Sequence, residues 1–405
     1  MSYMRCCVEE KTMESAQDLI VELGDNPDLS IAESIAVMCP SSCEKVAGSE
    51  NFFKLCGTKM RHPLYYGSIL RVAKPVGTLD NLEDVLLDFA KPRGGGILWA
   101  LISVNLTPGE QSSLKEAIQT TIKSLHRRSI YVDATARYSR FGELTVTRAI
   151  RKGFPDSGTE FLGVRRGGLL ELWRTISYPD LDGFIERDFA RPCTRPRLSM
   201  PPSLANSLIN LTQAIKPNAR LLDPFCGTGT ILLEAANMGF TVVGLDVDYQ
   251  MVACSLANLK WLTTNTVTSA RSYLVMRGNA THEDELQRLG LFDCIVTEPP
   301  LGPILERPPE KRHVEKIMRE LTPFYNQALK GLSRILDNAG RIVLTTPVWK
   351  AKGGIMVPDS RLILKGTGLV MDTYLQRFGV RLPITWRKPD NIVQRSIYIL
   401  RHGPA

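Results

Sequence analysis

The 405-residue chain reads as an α/β protein: an α+β first half precedes a second half built as a doubly wound, Rossmann-like, mostly parallel sheet. Two observations predict the second half. The apolar strand end Leu221-Leu222 runs into Asp223-Pro-Phe-Cys-Gly-Thr-Gly-Thr230, a glycine loop that opens a helix from Ile231 to Asn237, stopped at Gly239. Further on, the apolar run Phe292 to Thr297 runs straight into Glu298-Pro-Pro-Leu-Gly-Pro303. Ligands of open α/β sheets bind outside the carboxyl ends of the strands, so both loops face one crevice. The first half is predicted by strand and helix patterns that alternate without such a glycine loop.

Taken in order, residues 18–24 read as a strand, and Ser30-Ile-Ala-Glu33 reads as a capping box opening a helix. Tyr66 to Val76 is a second strand region, and Gly94-Gly-Gly96 marks a break. Ile97 to Val104 is a strand, Ser112 to Leu125 a helix, Ile130 to Val132 a strand and Thr145 to Lys152 a helix. This alternation suits two small α+β units. Residues 178–198, rich in Pro and Arg, read as a linker. The chain closes with Arg341 to Thr346, Leu369 to Arg377 and Arg395 to Leu400, the last two expected as an antiparallel hairpin.

The chemistry of the glycine loop follows from its residues. Gly227 and Gly229 let the backbone come close to a ligand, and the helix beginning near Thr230 aims free N–H groups at the same place. Asp223 would repel a pyrophosphate, but it suits a cationic ammonium such as the methionine amine of S-adenosylmethionine. Phe225 and Thr228 belong to the same donor loop, and Thr297 stands at the neighbouring strand end. Thr241 to Leu245 ends in Asp246, roughly 20 residues past the glycines, where doubly wound folds hold a ribose hydroxyl pair. Asp248 can cap the next helix, to about Trp261. Tyr273 to Met276 is a third strand, and Asn279 past its tip either reaches an adenine edge or serves as a turn residue.

In the second loop, two consecutive prolines force an extended backbone and remove N–H donors. Glu298 and the Pro299 carbonyl then form a double acceptor for the exocyclic amino group of a base, with Pro300 stiffening the loop. A nicotinamide dehydrogenase is a rival reading, because Asp246 fits its ribose contact. Leu232 occupies its third small position, however, and it has no use for Asp223 or the Glu-Pro-Pro loop.

DPFCGTGT and TEPPLG together resemble the class I methyltransferases that act on exocyclic amino groups. More narrowly, the chain resembles the THUMP-containing tRNA guanine-N2 methyltransferases, the group with the archaeal and eukaryotic enzymes for guanosine 10. Leu23-Gly-Asp-Asn-Pro-Asp-Leu-Ser30 is similar to the start of their N-terminal domain, and Thr147-Arg-Ala-Ile-Arg-Lys-Gly153 to their late THUMP helix. Arg187-Asp188 and Arg191-Pro192, then Ser199-Met-Pro-Pro-Ser-Leu-Ala205, resemble the entry into the catalytic domain. The resemblance implies a ferredoxin-like domain at 1–93, a THUMP domain at 94–177, a linker at 178–198 and a methyltransferase domain at 199–405.

It also implies S-adenosylmethionine as donor, tRNA as partner, a cytoplasmic setting, a small activating subunit in some relatives, and direct in-line transfer to N2 of guanosine. Two positions depart from the pattern. Glu298 stands where the family has Asp or Asn, which moves the acceptor by about 1.5 Å. Leu301 stands where it has an aromatic, removing a stacking surface of roughly 1–3 kcal/mol that Phe225 or Trp349 would have to replace. A catalytically silent RNA-binding relative is therefore an alternative. A DNA amino-methyltransferase shares the motif logic, but the basic N-terminal half argues against it.

Composition agrees. With 43% hydrophobic and 23% charged residues the chain fits an ordinary soluble protein of two or three domains. Nine cysteines and five histidines show no metal-site spacing, Cys39 and Cys43 forming only a CxxxC pair. Cys226 and Cys254 are expected as buried thiols in a reducing compartment. Residues 1–17 lack the apolar core of a signal peptide, and no apolar run reaches membrane-spanning length. The net charge of +8 is uneven: residues 120–197 hold 15 Lys and Arg against 9 Asp and Glu, hence +6 of it. There the bases interleave with aromatics, and Arg137, Arg140, Arg148, Arg151 and Lys152 are candidate RNA contacts, against the bland reading of a solvated basic face.

Overall fold

The computed structural model describes residues 16–404 apart from 60–64, 91–95, 133–142, 155–157, 196–198, 215, 217 and 266–271. Arg137 and Arg140 lie outside the described residues. Two compact units divide the described residues: one is built from residues 16–59 and from Ser68–Leu181, the other from Tyr65–Gly67 and from Asp182 onward.

The first unit contains β1 (Gln17–Leu23), α1 (Pro27–Met38), β2 (Ser42–Lys45), β3 (Phe52–Thr58), β4 (Ile69–Thr78), α2 (Leu82–Ala90) and β5 (Ile97–Ser103). It continues with α3 (Pro108–Ser124), β6 (Ser129–Tyr131), α4 (Glu143–Arg151), β7 (Gly158–Arg166) and β8 (Leu169–Ser177). All eight strands join one sheet, ordered β2-β3-β1-β4-β8-β7-β5-β6. Antiparallel pairing of β4 with β8 carries the sheet across both sequence segments.

The expected capping box is corrected. Helix α1 starts earlier, with Pro27 at its first position and Asn26 as N-cap, so Ser30 lies inside it. Ser30 Oγ donates to the Ser68 carbonyl at 2.6 Å, and Glu33 accepts from the Ser68 backbone N–H at 2.8 Å. Both side chains serve tertiary packing, which outcompetes the local cap. Helix α3 also begins earlier than expected, because Thr107 caps it through a Thr107–Glu110 box with Pro108 at its start. Deep in this unit Arg71 pairs with Glu22 at 3.0 Å and approaches Glu160 at 3.6 Å, and Thr175 and Tyr178 hydroxyls each donate to Glu160 at 2.7 Å.

The second unit opens with α5 (Leu181–Phe189), inside the segment read as a linker, and α6 (Pro202–Leu211). There follow β9 (Arg220–Asp223), α7 (Thr230–Asn237), β10 (Thr241–Asp246), α8 (Tyr249–Asn265), β11 (Tyr273–Arg277), α9 (Glu283–Gln287) and β12 (Phe292–Thr297). The remainder is α10 (Lys311–Arg334), β13 (Leu336–Ala351), β14 (Gly354–Met356), α11 (Ser360–Leu364), β15 (Leu369–Met371), β16 (Ile384–Trp386) and β17 (Val393–His402). The sheet runs β11-β10-β9-β12-β13-β17-β15, with β14 paired to β13 and β16 to β17. Pairs from β11 to β13 are parallel, whereas β17 is antiparallel to both neighbours.

Two consequences position the site. Strand order reverses between β9 and β12, so their carboxyl ends open a crevice at Asp223 and Thr297. Leu222, Val243, Ile295, Leu344 and Leu400 are buried in one core beneath that crevice. The closing hairpin is shorter than expected. Strand β15 ends at Met371, because the next carboxylate, Asp372, turns to accept from the Tyr374 N–H at 2.9 Å and from Arg341 Nε at 2.6 Å.

Candidate active site

The glycine loop between β9 and α7 is fastened from two sides. Gly227 (φ +52°) donates its N–H to Asp246 Oδ2 at 2.9 Å, and Gly229 (φ +81°) donates to the Cys226 carbonyl at 2.8 Å. From α8, Ser255 Oγ donates to the Gly227 carbonyl and Asn258 Nδ2 to the Thr228 carbonyl, each at 2.8 Å. A side chain at Gly229 would meet Ser255 Oγ at 2.8 Å and carry a left-handed backbone, so glycine is required there.

Asp223 is 2% exposed at the tip of β9. Its Oδ1 accepts from Thr297 Oγ1 at 2.8 Å and from the Phe225 N–H at 3.2 Å. Burial pushes its pKa up to about 7, while those two donors pull the other way. Among the described residues no ion pair reaches this carboxylate. A buried acid with neutral donors only is suited to a cationic ligand group, and an ammonium fits it. Arg195, Ser199, Met200, Asp223, Phe225, Gly227, Thr228, Met251 and Glu298 are among the residues lining the cleft.

The other donor-site candidates fall around this cleft in different ways. Asp246 uses one oxygen on Gly227 and the other on the Asp248 N–H at 2.9 Å, which leaves lone pairs on both. Asp248 in turn caps α8 by accepting from the Gln250 N–H at 2.8 Å. Thr297 touches Asp223 and is fully buried. The Asn279 side chain is engaged locally, its Oδ1 accepting from the Thr281 N–H at 3.0 Å and hydroxyl at 2.9 Å, as a turn residue does.

The Glu298-Pro-Pro loop forms the wall shared with a second cleft, lined by Glu298 to Glu306, Asp390 to Val393 and Arg395. Glu298 is held hard. Its Oε2 accepts from Arg395 Nε at 2.5 Å and Thr345 Oγ1 at 3.0 Å, and its Oε1 accepts from Arg395 Nη2 at 2.8 Å. The Arg395 guanidinium lies over Trp386, 5.1 Å from the ring centre. Pro299 is buried, and the Pro300 carbonyl accepts from the Tyr325 hydroxyl at 2.5 Å.

Neither proposed substitute for the missing aromatic stands free beside Leu301. Trp349 is fully buried among Val314, Ile317 and Ala351. Phe225 lines the donor cleft instead and packs on Phe324 at 5.5 Å. Sequence reasoning also missed Arg395, Thr345, Trp386 and Tyr325. Arg395 did carry a signal: with Gln394 it puts polar residues at the head of an apolar strand, Gln-Arg-Ser-Ile-Tyr-Ile-Leu. The segment entering this unit is anchored too. Arg187 forms a bidentate pair with Glu234 at 2.6 and 3.1 Å, and Arg191 donates to Thr230 Oγ1 at 2.7 Å.

One cysteine reading is corrected. Cys226 is a buried thiol, but Cys254 is bonded to Cys193 in a disulfide with Cα atoms 5.4 Å apart. The cause is tertiary: Asn258 holds both the N–H and the carbonyl of Cys193 against α8, beside Cys254. Among the described residues no group of three or more His, Cys, Asp or Glu could hold a metal, and no helix is long and apolar enough to cross a membrane. In the first unit Arg148, Arg151 and Lys152 are exposed on and just after α4.

The sheet order, the glycine loop and the acidic Pro-Pro loop together define a Rossmann-like methyltransferase fold in the second unit. Residues 190–351 match the model of the family UPF0020, described as RMKL-like, methyltransferase domain. The chain is 32% identical over 180 residues to the tRNA (guanine(10)-N2)-dimethyltransferase of Pyrococcus abyssi, covering 44% of this chain and 48% of that protein. It is 40% identical over 134 residues to the enzyme of the same name in Methanothermobacter thermautotrophicus, covering 32% and 36%. It is 26% identical over 162 residues to the Xenopus laevis tRNA (guanine(10)-N(2))-methyltransferase TRMT11, covering 34% of each. The chain thus spans less than half the length of these relatives.

Proposed function

We propose that this chain transfers a methyl group from S-adenosylmethionine to the exocyclic N2 of a guanosine in tRNA, with position 10 favoured by the names of its relatives. The observation that carries the reading is that two clefts share one wall, Glu298, with a buried acid suited to an ammonium in the first and a stiff acceptor loop in the second. When bound, the donor supplies a sulfonium methyl group. Asp223 takes its ammonium, Asp246 its ribose hydroxyls, and Phe225 with the Gly227-Thr228-Gly229 backbone shapes the cleft around it. Glu298 and the Pro299 carbonyl accept the hydrogens of the substrate amino group. That pulls the nitrogen lone pair out of conjugation and points it at the methyl, an interaction strongest in the transition state. The first half would serve as ferredoxin-like and THUMP pieces that hold cytoplasmic tRNA through Arg148, Arg151 and Lys152.

The second reading is a silent binding relative, favoured by the three hydrogen bonds already made to Glu298. One experiment separates the two: single-turnover transfer of labelled methyl to tRNA, with nucleoside mass spectrometry of the product and with or without a small activating subunit. Labelled N2-methylguanosine is the expected product. Glu298→Ala should cut the rate by on the order of 10²–10³-fold with donor binding intact. Wild-type protein that binds donor and tRNA yet transfers nothing would decide for the silent reading.

A further inference from the structure

We infer that Glu298 and Arg395 act as one recognition unit, in which Arg395 holds the glutamate and turns its remaining edge to a carbonyl oxygen of the acceptor base. The inference rests on the functional reading above and names what selects guanine. A carboxylate offers about four acceptor positions. Three are filled, two on Oε2 and one on Oε1, so Glu298 can accept one further N–H, through Oε1.

The guanidinium gives its Nε–Nη2 edge to Glu298, while Nη1 makes no hydrogen bond among the described residues. Arg395 also lines the acceptor cleft, and Trp386 under its plane keeps it from swinging away. The cleft therefore presents one acid lone pair beside one cationic donor. Guanine carries the matching pattern on one edge, an N2 amino donor and an O6 acceptor. Adenine has an amino group and no carbonyl. Glutamate in place of the shorter acid thus belongs to a different arrangement, in which its extra length reaches the arginine on β17.

The test compares two tRNAs assembled by ligation, with guanosine or 6-thioguanosine at the acceptor position mapped by mass spectrometry of ribonuclease fragments of the methylated tRNA. The sulfur keeps the N2 amino group but is a weak acceptor. Wild type should prefer guanosine in kcat/KM by roughly 10–150-fold, the range for one hydrogen bond to a charged group. Arg395→Lys keeps a cation beside Glu298 but loses the fork; turnover should fall and the preference shrink to within about twofold. Thr345→Val removes one bond to Glu298 and does not face the base, so turnover should fall while the preference stays. Donor titration by calorimetry shows that each variant is folded. Equal rates of wild type on both tRNAs, or an undiminished preference in Arg395→Lys, would overturn the inference and leave the functional reading standing. No transfer by wild type to guanosine overturns both.

Discussion

Replacing Asp223 by Asn should make the protein more stable at neutral pH and worse at binding its donor. The carboxylate is buried and its pKa stands at about 7 against an ordinary 3.8. A tenfold change in an acid's dissociation constant corresponds to about 1.36 kcal/mol, so holding the charge in the folded state costs on the order of 4 kcal/mol. The sign follows from proton counts: between 3.8 and about 7 the folded state binds the proton more tightly than the unfolded chain does, so stability falls as pH rises through that window and is flat above it. Asn keeps an oxygen for Thr297 and the Phe225 N–H. Its amide hydrogens, if unsatisfied, return roughly 1–3 kcal/mol of the gain.

The net is a few kcal/mol at pH 8, several degrees in melting temperature for a unit of this size. The gap between variant and wild type should widen by roughly 2–3 kcal/mol from pH 5 to pH 8. Donor affinity should fall about 10–100-fold with the lost charged hydrogen bond. In wild type it should rise with pH up to about 7, because the ammonium needs the ionised acid. Differential scanning fluorimetry across pH, with calorimetric titration of S-adenosylmethionine, measures both. A stability gap that does not change with pH, or unchanged donor affinity in Asp223→Asn, would refute the reasoning.

Other outcomes follow from the same structure. Gly244→Ala places a methyl 2.4 Å from Leu232 Cδ1 and 3.2 Å from Cys226 Sγ, and should cost about 1–3 kcal/mol by urea unfolding, with weakened donor binding. Arg71→Ala leaves the buried acids Glu22 and Glu160 without their shared cation and should destabilise the first unit by roughly 3–5 kcal/mol, read by hydrogen exchange of β1 and β4. Replacing Arg148, Arg151 and Lys152 together by Ala should weaken tRNA binding and lower the slope of log affinity against log salt by about 2–3. An unchanged slope in filter binding would leave these exposed bases as a solvated face. Glu298→Asp withdraws the carboxylate by about 1.5 Å from Arg395 and should lose single-turnover rate; a faster rate would contradict the clamp.

Local chemistry made the second unit legible. A strand ending in an acid, two glycines and an apolar helix is a short-range pattern, and Asp223, Gly227, Gly229 and Asp246 fall where it puts them because loop and helix geometry act over few residues. Short apolar runs likewise located β10, β11 and β12. The ends of elements were less legible where tertiary contacts outbid caps, as at Ser30, whose hydroxyl bonds Ser68, 38 residues away. Only the folded chain could decide the state of Glu298. Its partners Thr345 and Arg395 lie 47 and 97 residues further on, brought beside it by pairing of β12 with β13 and of β13 with β17. The disulfide of Cys193 with Cys254 and the burial of Trp349 are of the same kind. A sequence window records what a residue can do, whereas long-range packing determines which partner it meets.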